Sequence, residues 1–153
     1  MSVYLGDEAA TASYAQRLAR ILPVDFAGWT VLLDGDLGAG KSTFARALLN
    51  SLGHTGLVPS PTYTLVEPYR LNGGNVYHVD LYRVASADEL RFLGWSELDD
   101  GLRLVEWPGR APELAASADL RVHLDYAGTG RRAAVEGLSD RGRAVAAALA
   151  ATD

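Results

Sequence analysis

Hydrophobic positions along the chain change period several times, and each change marks an element. Behind Asp7, which can cap a helix, Ala10, Tyr14, Leu18, Ile21 and Leu22 recur at helical spacing until Pro23 ends the run. Residues 29–34 are an unbroken apolar run closing on Asp34, the pattern of a strand buried on both faces. A glycine-rich stretch over 35–40 then leads into a helix predicted over 41–52, with Phe44, Leu48 and Leu52 as its apolar stripe and Gly53 as its stop. Residues 54–71 carry Pro59, Pro61 and Pro68, so they read as a loop with edge strands at most. After a turn at 72–75, residues 76–82 read as a strand. Ser86 and Glu89 form a capping-box pattern that predicts a helix through about residue 93. Residues 102–107 are a further strand, stopped by Pro108-Gly109. Residues 120–126 and 131–136 flank a glycine turn and predict a hairpin, and an alanine-rich helix over about 140–151 follows. The alternation of strands and helices predicts a single α/β domain over residues 1–153: a P-loop-like three-layer sandwich with a mainly parallel sheet and a C-terminal antiparallel hairpin.

Length and charge narrow this further. The 153 residues suit one domain of about 150 and leave no room for a large separate substrate domain. The formal charge of −5 argues against a surface that coats nucleic acid. With no cysteine, disulfides, thiolate nucleophiles and cysteine-bound zinc are excluded. The chain shows no secretory leader and no apolar run long enough to span a membrane, so a cytoplasmic location is expected.

The chemistry concentrates at residues 35–42. Gly35-Asp36-Leu37-Gly38-Ala39-Gly40-Lys41-Ser42 matches G-x-x-x-x-G-K-[ST], between a strand and a helix as that motif requires. The glycines let successive amides turn into one concavity, and the helix N-terminus adds its free N–H groups. Lys41 supplies a point charge for β- and γ-phosphates, and the Ser42 hydroxyl can ligate Mg²⁺. Lys41 is also the only lysine among 14 basic residues, the other 13 being arginine. A compact ammonium fits between phosphate oxygens where a planar guanidinium does not.

A phosphate loop of this kind works with an acid at the end of a neighbouring strand, directly or through water on the metal. Asp80 and Glu106 both end predicted strands, and spacing does not choose between them. The hydroxyl-bearing, proline-stiffened segment Ser60-Pro61-Thr62-Tyr63-Thr64 stands where a loop can fold over a γ-phosphate. Guanine-reading motifs need a second lysine, so ATP is expected over GTP. A small-molecule or nucleotide kinase remains the alternative, with Arg131, Arg132, Arg141 and Arg143 as possible lid charges, although no inserted lid is evident. A nucleotide-gated binding module is a third reading. His78 reads as a packed histidine, and Trp95 and Tyr126 as core or interface.

Four blocks taken together, 35–43, 60–65, 78–83 and 105–108, closely resemble the bacterial TsaE (YjeE) family, and the likeness extends over nearly the whole chain. The resemblance implies a weak Mg²⁺-dependent ATPase that acts with the TsaB–TsaD heterodimer in forming threonylcarbamoyladenosine beside the tRNA anticodon. It implies contact with tRNA only through that complex and no membrane association. By position it implies nucleotide contacts from Asp36, Leu37, Gly38, Ala39, Gly40, Lys41, Ser42 and Thr43. It adds Thr11 and Arg131 as further contacts. Ser42 and Glu106 become Mg²⁺ ligands, with Asp80 in the Walker-B-like position, so that Lys41, Asp80 and Glu106 carry catalysis. Ser60 to Thr64 become a switch-like segment, and Trp107 lies near the nucleotide. Ser42 stands where the family often has threonine, which keeps the hydroxyl.

Overall fold

The computed structural model describes residues 2–59, 61 and 65–152. It has seven strands, β1 (Ser2–Leu5), β2 (Thr30–Gly35), β3 (Val66–Leu71), β4 (Gly74–Asp80), β5 (Gly101–Glu106), β6 (Leu120–Ala127) and β7 (Gly130–Gly137). Three α-helices accompany them, α1 (Glu8–Ile21), α2 (Lys41–Ser51) and α3 (Asp140–Ala151). All seven strands form one sheet in the order β1-β7-β6-β2-β5-β4-β3. The inner four, β6, β2, β5 and β4, run parallel. The β6–β7 hairpin, β1 and β3 extend the sheet antiparallel on either side. Pro68 is tolerated because β3 is an outermost strand, where its missing N–H leaves no ladder bond unmade.

The sheet buries both faces, and the two-residue period of its strands sorts the side chains. Val31, Leu33, Val76, Leu102 and Leu104 pack beneath the α-helices with Leu18, Phe44 and Leu48. Leu32, Val79 and Val105 point the other way, where Leu81, Val84, Leu90 and Leu114 cover them. That second layer is built from short 3-10 segments, so the three-layer arrangement stands with one outer layer thinned. One of these segments, Ala87–Leu93, replaces the predicted short α-helix. The capping box does not close there: the Glu89 carboxylate accepts from the amide of Ala85, one residue before the N-cap, at 2.8 Å, and the Ser86 side chain caps nothing. Gly94 in the left-handed region then stops the segment after two turns.

The other ends follow their residues closely. The Asp7 carboxylate accepts from the Ala10 amide at 2.8 Å and starts α1. Strand β1 went unpredicted because four residues are too few to show a period. It is held from outside, by pairing with β7, with Leu5 opposite Arg131.

At the N-terminal end of β2, buried Asp119 ties sheet to helix. Its carboxylate accepts from the Thr30 amide at 3.0 Å, the Ser139 hydroxyl at 2.7 Å and the Arg141 guanidinium at 2.8 and 3.1 Å. Burial alone pushes its pKa up, but these bonds and the Arg141 charge outweigh it and hold the carboxyl below its ordinary range. Because the folded-state value is depressed, the stabilisation is complete above about pH 4 and fades as pH falls through that lower value. Asp119→Ala is expected to cost about 2–4 kcal/mol in urea unfolding at pH 7. The gap from the wild type should narrow steadily in titrations from pH 5 to pH 2. A gap that holds constant over that range would remove the carboxylate from the account.

Candidate functional site

The loop between β2 and α2 lies at the C-terminal edge of the parallel strands. Gly40 takes the N-cap of α2 with φ +108° and offers no side-chain cap, so the first amides of the helix stay available to a ligand. Lys41 opens the helix and turns back under the loop. Its ammonium is 5% exposed and donates to the Gly35 carbonyl at 2.5 Å and the Asp36 carbonyl at 3.0 Å. Burial lowers its pKa, and the nearby carboxylates of Glu106, Asp34, Asp36 and Asp80 compensate only in part. An arriving phosphate brings further negative charge to this cation.

The strand register brings the two acids together. Asp80 and Glu106 are opposite one another on β4 and β5, and both side chains are buried. Each has one oxygen tied. Asp80 Oδ1 accepts from the Tyr82 amide at 2.8 Å, and Glu106 Oε2 accepts from His78 Nε2 at 2.5 Å. Trp107 follows Glu106 in the left-handed region, φ +59°, so the chain leaves β5 sharply. That turn sets the indole 4.2 Å from the Lys41 ammonium and 5.0 Å from the Tyr82 ring.

Lys41, Ser42, Asp80, Glu106 and Trp107, with Gly38, Gly40, Leu37 and Thr43, line a cleft of about 260 Å³. A second pocket of about 310 Å³ adjoins it across Gly38, Gly40 and Thr43, and Thr11 and Arg131 line that pocket with Asp7 and Gly130. The sequence-predicted residues therefore gather into two adjacent hollows on either side of the glycine loop. Asp36 and Leu37 stand on the exposed rim, while Ala39 is fully buried beneath the loop. Of the switch-like segment, Pro61 is buried and its carbonyl accepts from the Leu65 amide at 2.7 Å. Leu65 in turn accepts from the Asp80 amide at 2.9 Å, which links the segment to the acid. Ser60, Thr62, Tyr63 and Thr64 lie outside the described residues.

The oxygen donors suit Mg²⁺. Among the described residues no three His, Cys, Asp or Glu side chains gather as a metal cage. One hydroxyl and two carboxylates on a phosphate-sized cleft are what a cation held jointly by protein and phosphate requires.

The arginines divide. Arg131 donates to the Gly38 carbonyl at 3.1 Å and lies over the Tyr126 ring at 4.4 Å. Arg141 is spent on Asp119 and the Gly28 carbonyl at the opposite end of β2, and Arg143 pairs with Asp140 beside it. Neither of these two is placed to close over the cleft. Tyr126 lies outside the core: half-exposed, it donates its hydroxyl to the Leu37 carbonyl at 2.8 Å and braces the loop. That partner is 89 positions away, and nothing local in the sequence signals it. His78 is packed as expected, and its bond to Glu106 comes in addition.

A glycine loop between the first parallel strand and its helix, with acids on the adjoining strands, defines an α/β fold of the P-loop type. The family described as "Threonylcarbamoyl adenosine biosynthesis protein TsaE" matches residues 5–134, and this chain belongs to it. The tRNA threonylcarbamoyladenosine biosynthesis protein TsaE of Haemophilus influenzae is 39% identical over 130 residues, 82% of each chain. Its namesake from Synechocystis is 42% identical over 120 residues, 74% of each. The crystal structure of YdiB from Bacillus subtilis superposes with a TM-score of 0.76 at 26% identity, covering 100% of this chain and 95% of that one.

The brace predicts a coupling. A Cβ at Gly38 would meet the Tyr126 hydroxyl, and the backbone there has φ +80°. Gly38→Ala is therefore expected to cost about 1–2 kcal/mol from the backbone alone. Its total cost should be about 0.5–1 kcal/mol smaller in a Tyr126→Phe background than in the wild type. Thermal or urea unfolding of the four proteins measures this; strict additivity would break the link.

Proposed function

We propose that the chain binds ATP with Mg²⁺ and hydrolyses it in support of tRNA threonylcarbamoyladenosine formation, acting with the TsaB–TsaD heterodimer. The observation that carries this is the buried Lys41 ammonium. It is satisfied by loop carbonyls at the mouth of a cleft where Ser42, Asp80 and Glu106 meet. In this reading the amides of residues 38–43 cradle the phosphates, and Lys41 exchanges its carbonyl partners for β- and γ-phosphate oxygens. Thr11 and Arg131 take the nucleoside side, and Trp107 shields the ammonium from water. Ser42 and Glu106 hold Mg²⁺, with Asp80 beside them. Bound there, the cation neutralises charge developing on the transferred phosphoryl group. The electrostatics favour a nucleotide that arrives with its cation: four carboxylates act on one ammonium, and a bare polyanion meets net repulsion.

The kinase alternative loses two of its four possible lid charges, since Arg141 and Arg143 are engaged away from the cleft. What supports TsaB–TsaD as the partner is family membership. The tRNA is reached through that complex, as expected for a chain of charge −5. A cytoplasmic location follows from that role, and no helix among the described residues is long and apolar enough to cross a membrane.

Calorimetry with ATP and Mg²⁺ tests the reading directly. Lys41→Ala is expected to weaken binding at least 100-fold, about 2.7 kcal/mol, with an unchanged circular dichroism spectrum. A folded wild type that gives no heat with adenine nucleotide would refute the proposal. Glu106→Ala should keep ATP binding in EDTA while losing hydrolysis. Capture of TsaB–TsaD on the immobilised chain should differ between ATP and ADP, and robust phosphorylation of a small-molecule acceptor without those partners would favour the kinase instead.

A further inference from the structure

We infer that His78 is a positioning residue for Glu106. Its Nε2–H fixes one carboxylate oxygen so that the other is presented to the metal ion at the phosphate cleft. The inference rests on the Mg²⁺–ATP reading above and concerns a residue that reading leaves without a role.

His78 is 2% exposed and sits on β4, the outermost of the four parallel strands, between β5 and β3 and two positions before Asp80. Leu104 is its register partner on β5, and Glu106 is the diagonal neighbour on the same face. Two rigid, buried strands thus set the distance between imidazole and carboxylate, and it closes to 2.5 Å. A carboxylate only accepts, so Nε2 carries the hydrogen of this bond. Nδ1 is buried and has no hydrogen-bond partner among the described residues. A side chain present only to fill space there would be better apolar, because an unsatisfied buried polar atom costs about 1–3 kcal/mol. The bond to Glu106 is what the imidazole contributes in return.

Glu106 has reason to need it. Its side chain turns about three bonds and borders two hollows, the 260 Å³ cleft and a smaller cavity of about 110 Å³ that His78 also lines. Left untied, the carboxylate can swing between them. Asp80 Oδ1 is likewise held by the fold, by the Tyr82 amide. Each acid of the site therefore has one oxygen anchored by the fold. Groups that orient a metal ligand in this way typically alter metal affinity by about 10–100-fold when removed.

Three substitutions separate positioning from packing. In His78→Gln the amide nitrogen falls near the place of Nε2 and can still donate. In His78→Asn it falls near Nδ1, polar but too short to reach Glu106. His78→Leu fills the space without a donor. Mn²⁺ binding to the ADP-loaded chain, read by electron paramagnetic resonance, is expected to weaken at least about tenfold in the Asn and Leu variants and to stay within about threefold of wild type in the Gln variant. ADP affinity in EDTA, by calorimetry, should be unchanged in all three. If the Leu variant fails to fold, the Asn–Gln contrast decides alone. Wild-type Mn²⁺ affinity in the Asn variant, or an equal loss in Asn and Gln, would overturn the inference while leaving the ATPase reading intact. A wild type that binds no Mn²⁺ with ADP would sink both.

Discussion

Everything at the mouth of the sheet is arranged around one buried ammonium. Taking Lys41 out of water is costly, and two loop carbonyls, one indole face and four nearby carboxylates only partly offset that cost. The ammonium is thus held in place by groups that offset its burial without cancelling it. The glycine loop, the flipped backbone at Trp107 and the strand-end acids each serve the same balance. Remove the cation and the carboxylates face one another unscreened; remove the carboxylates and the cation has little reason to remain buried.

The sheet turns this balance into geometry. Even-numbered positions of β4 and β5 face the α-helical layer, so Val76, Leu102 and Leu104 build the core while His78, Asp80 and Glu106, further along the same faces, build the site. The acids lie at the carboxyl ends of parallel strands, where the helix following β2 points its amide end. The site is thus a continuation of the core packing pattern into the region where apolar side chains give way to polar ones.

What could be read in advance followed from local physics. The Asp7 cap, the glycine loop, the Pro68 edge strand and the β6–β7 hairpin each rest on a few consecutive residues whose conformational preferences agree. The resemblance to TsaE supplied Thr11 and Arg131, which no spacing argument reached, and the structure places both on one pocket. The features that escaped depend on partners far along the chain. Strand β1 exists because β7 is beside it, and Tyr126 braces a loop 89 positions earlier. The bond between His78 and Glu106 needs the β4–β5 register, which a sequence does not reveal. In the 3-10 layer, the segment Ala87–Leu93 stands where the sequence predicts a helix and differs only in its tighter winding, whereas the other short segments are too brief to show a period.

Pairing of β1 with β7 has a consequence for how the molecule comes into being. Leu5 meets Arg131 across 126 intervening steps of chain, so the hollow containing Thr11 and Arg131 closes only after residue 131 has been synthesised. The glycine loop and α2, by contrast, are local in sequence and can take shape while synthesis continues. The glycine loop thus precedes the Thr11–Arg131 hollow in chain order, and the hollow waits on the pairing of an outermost strand.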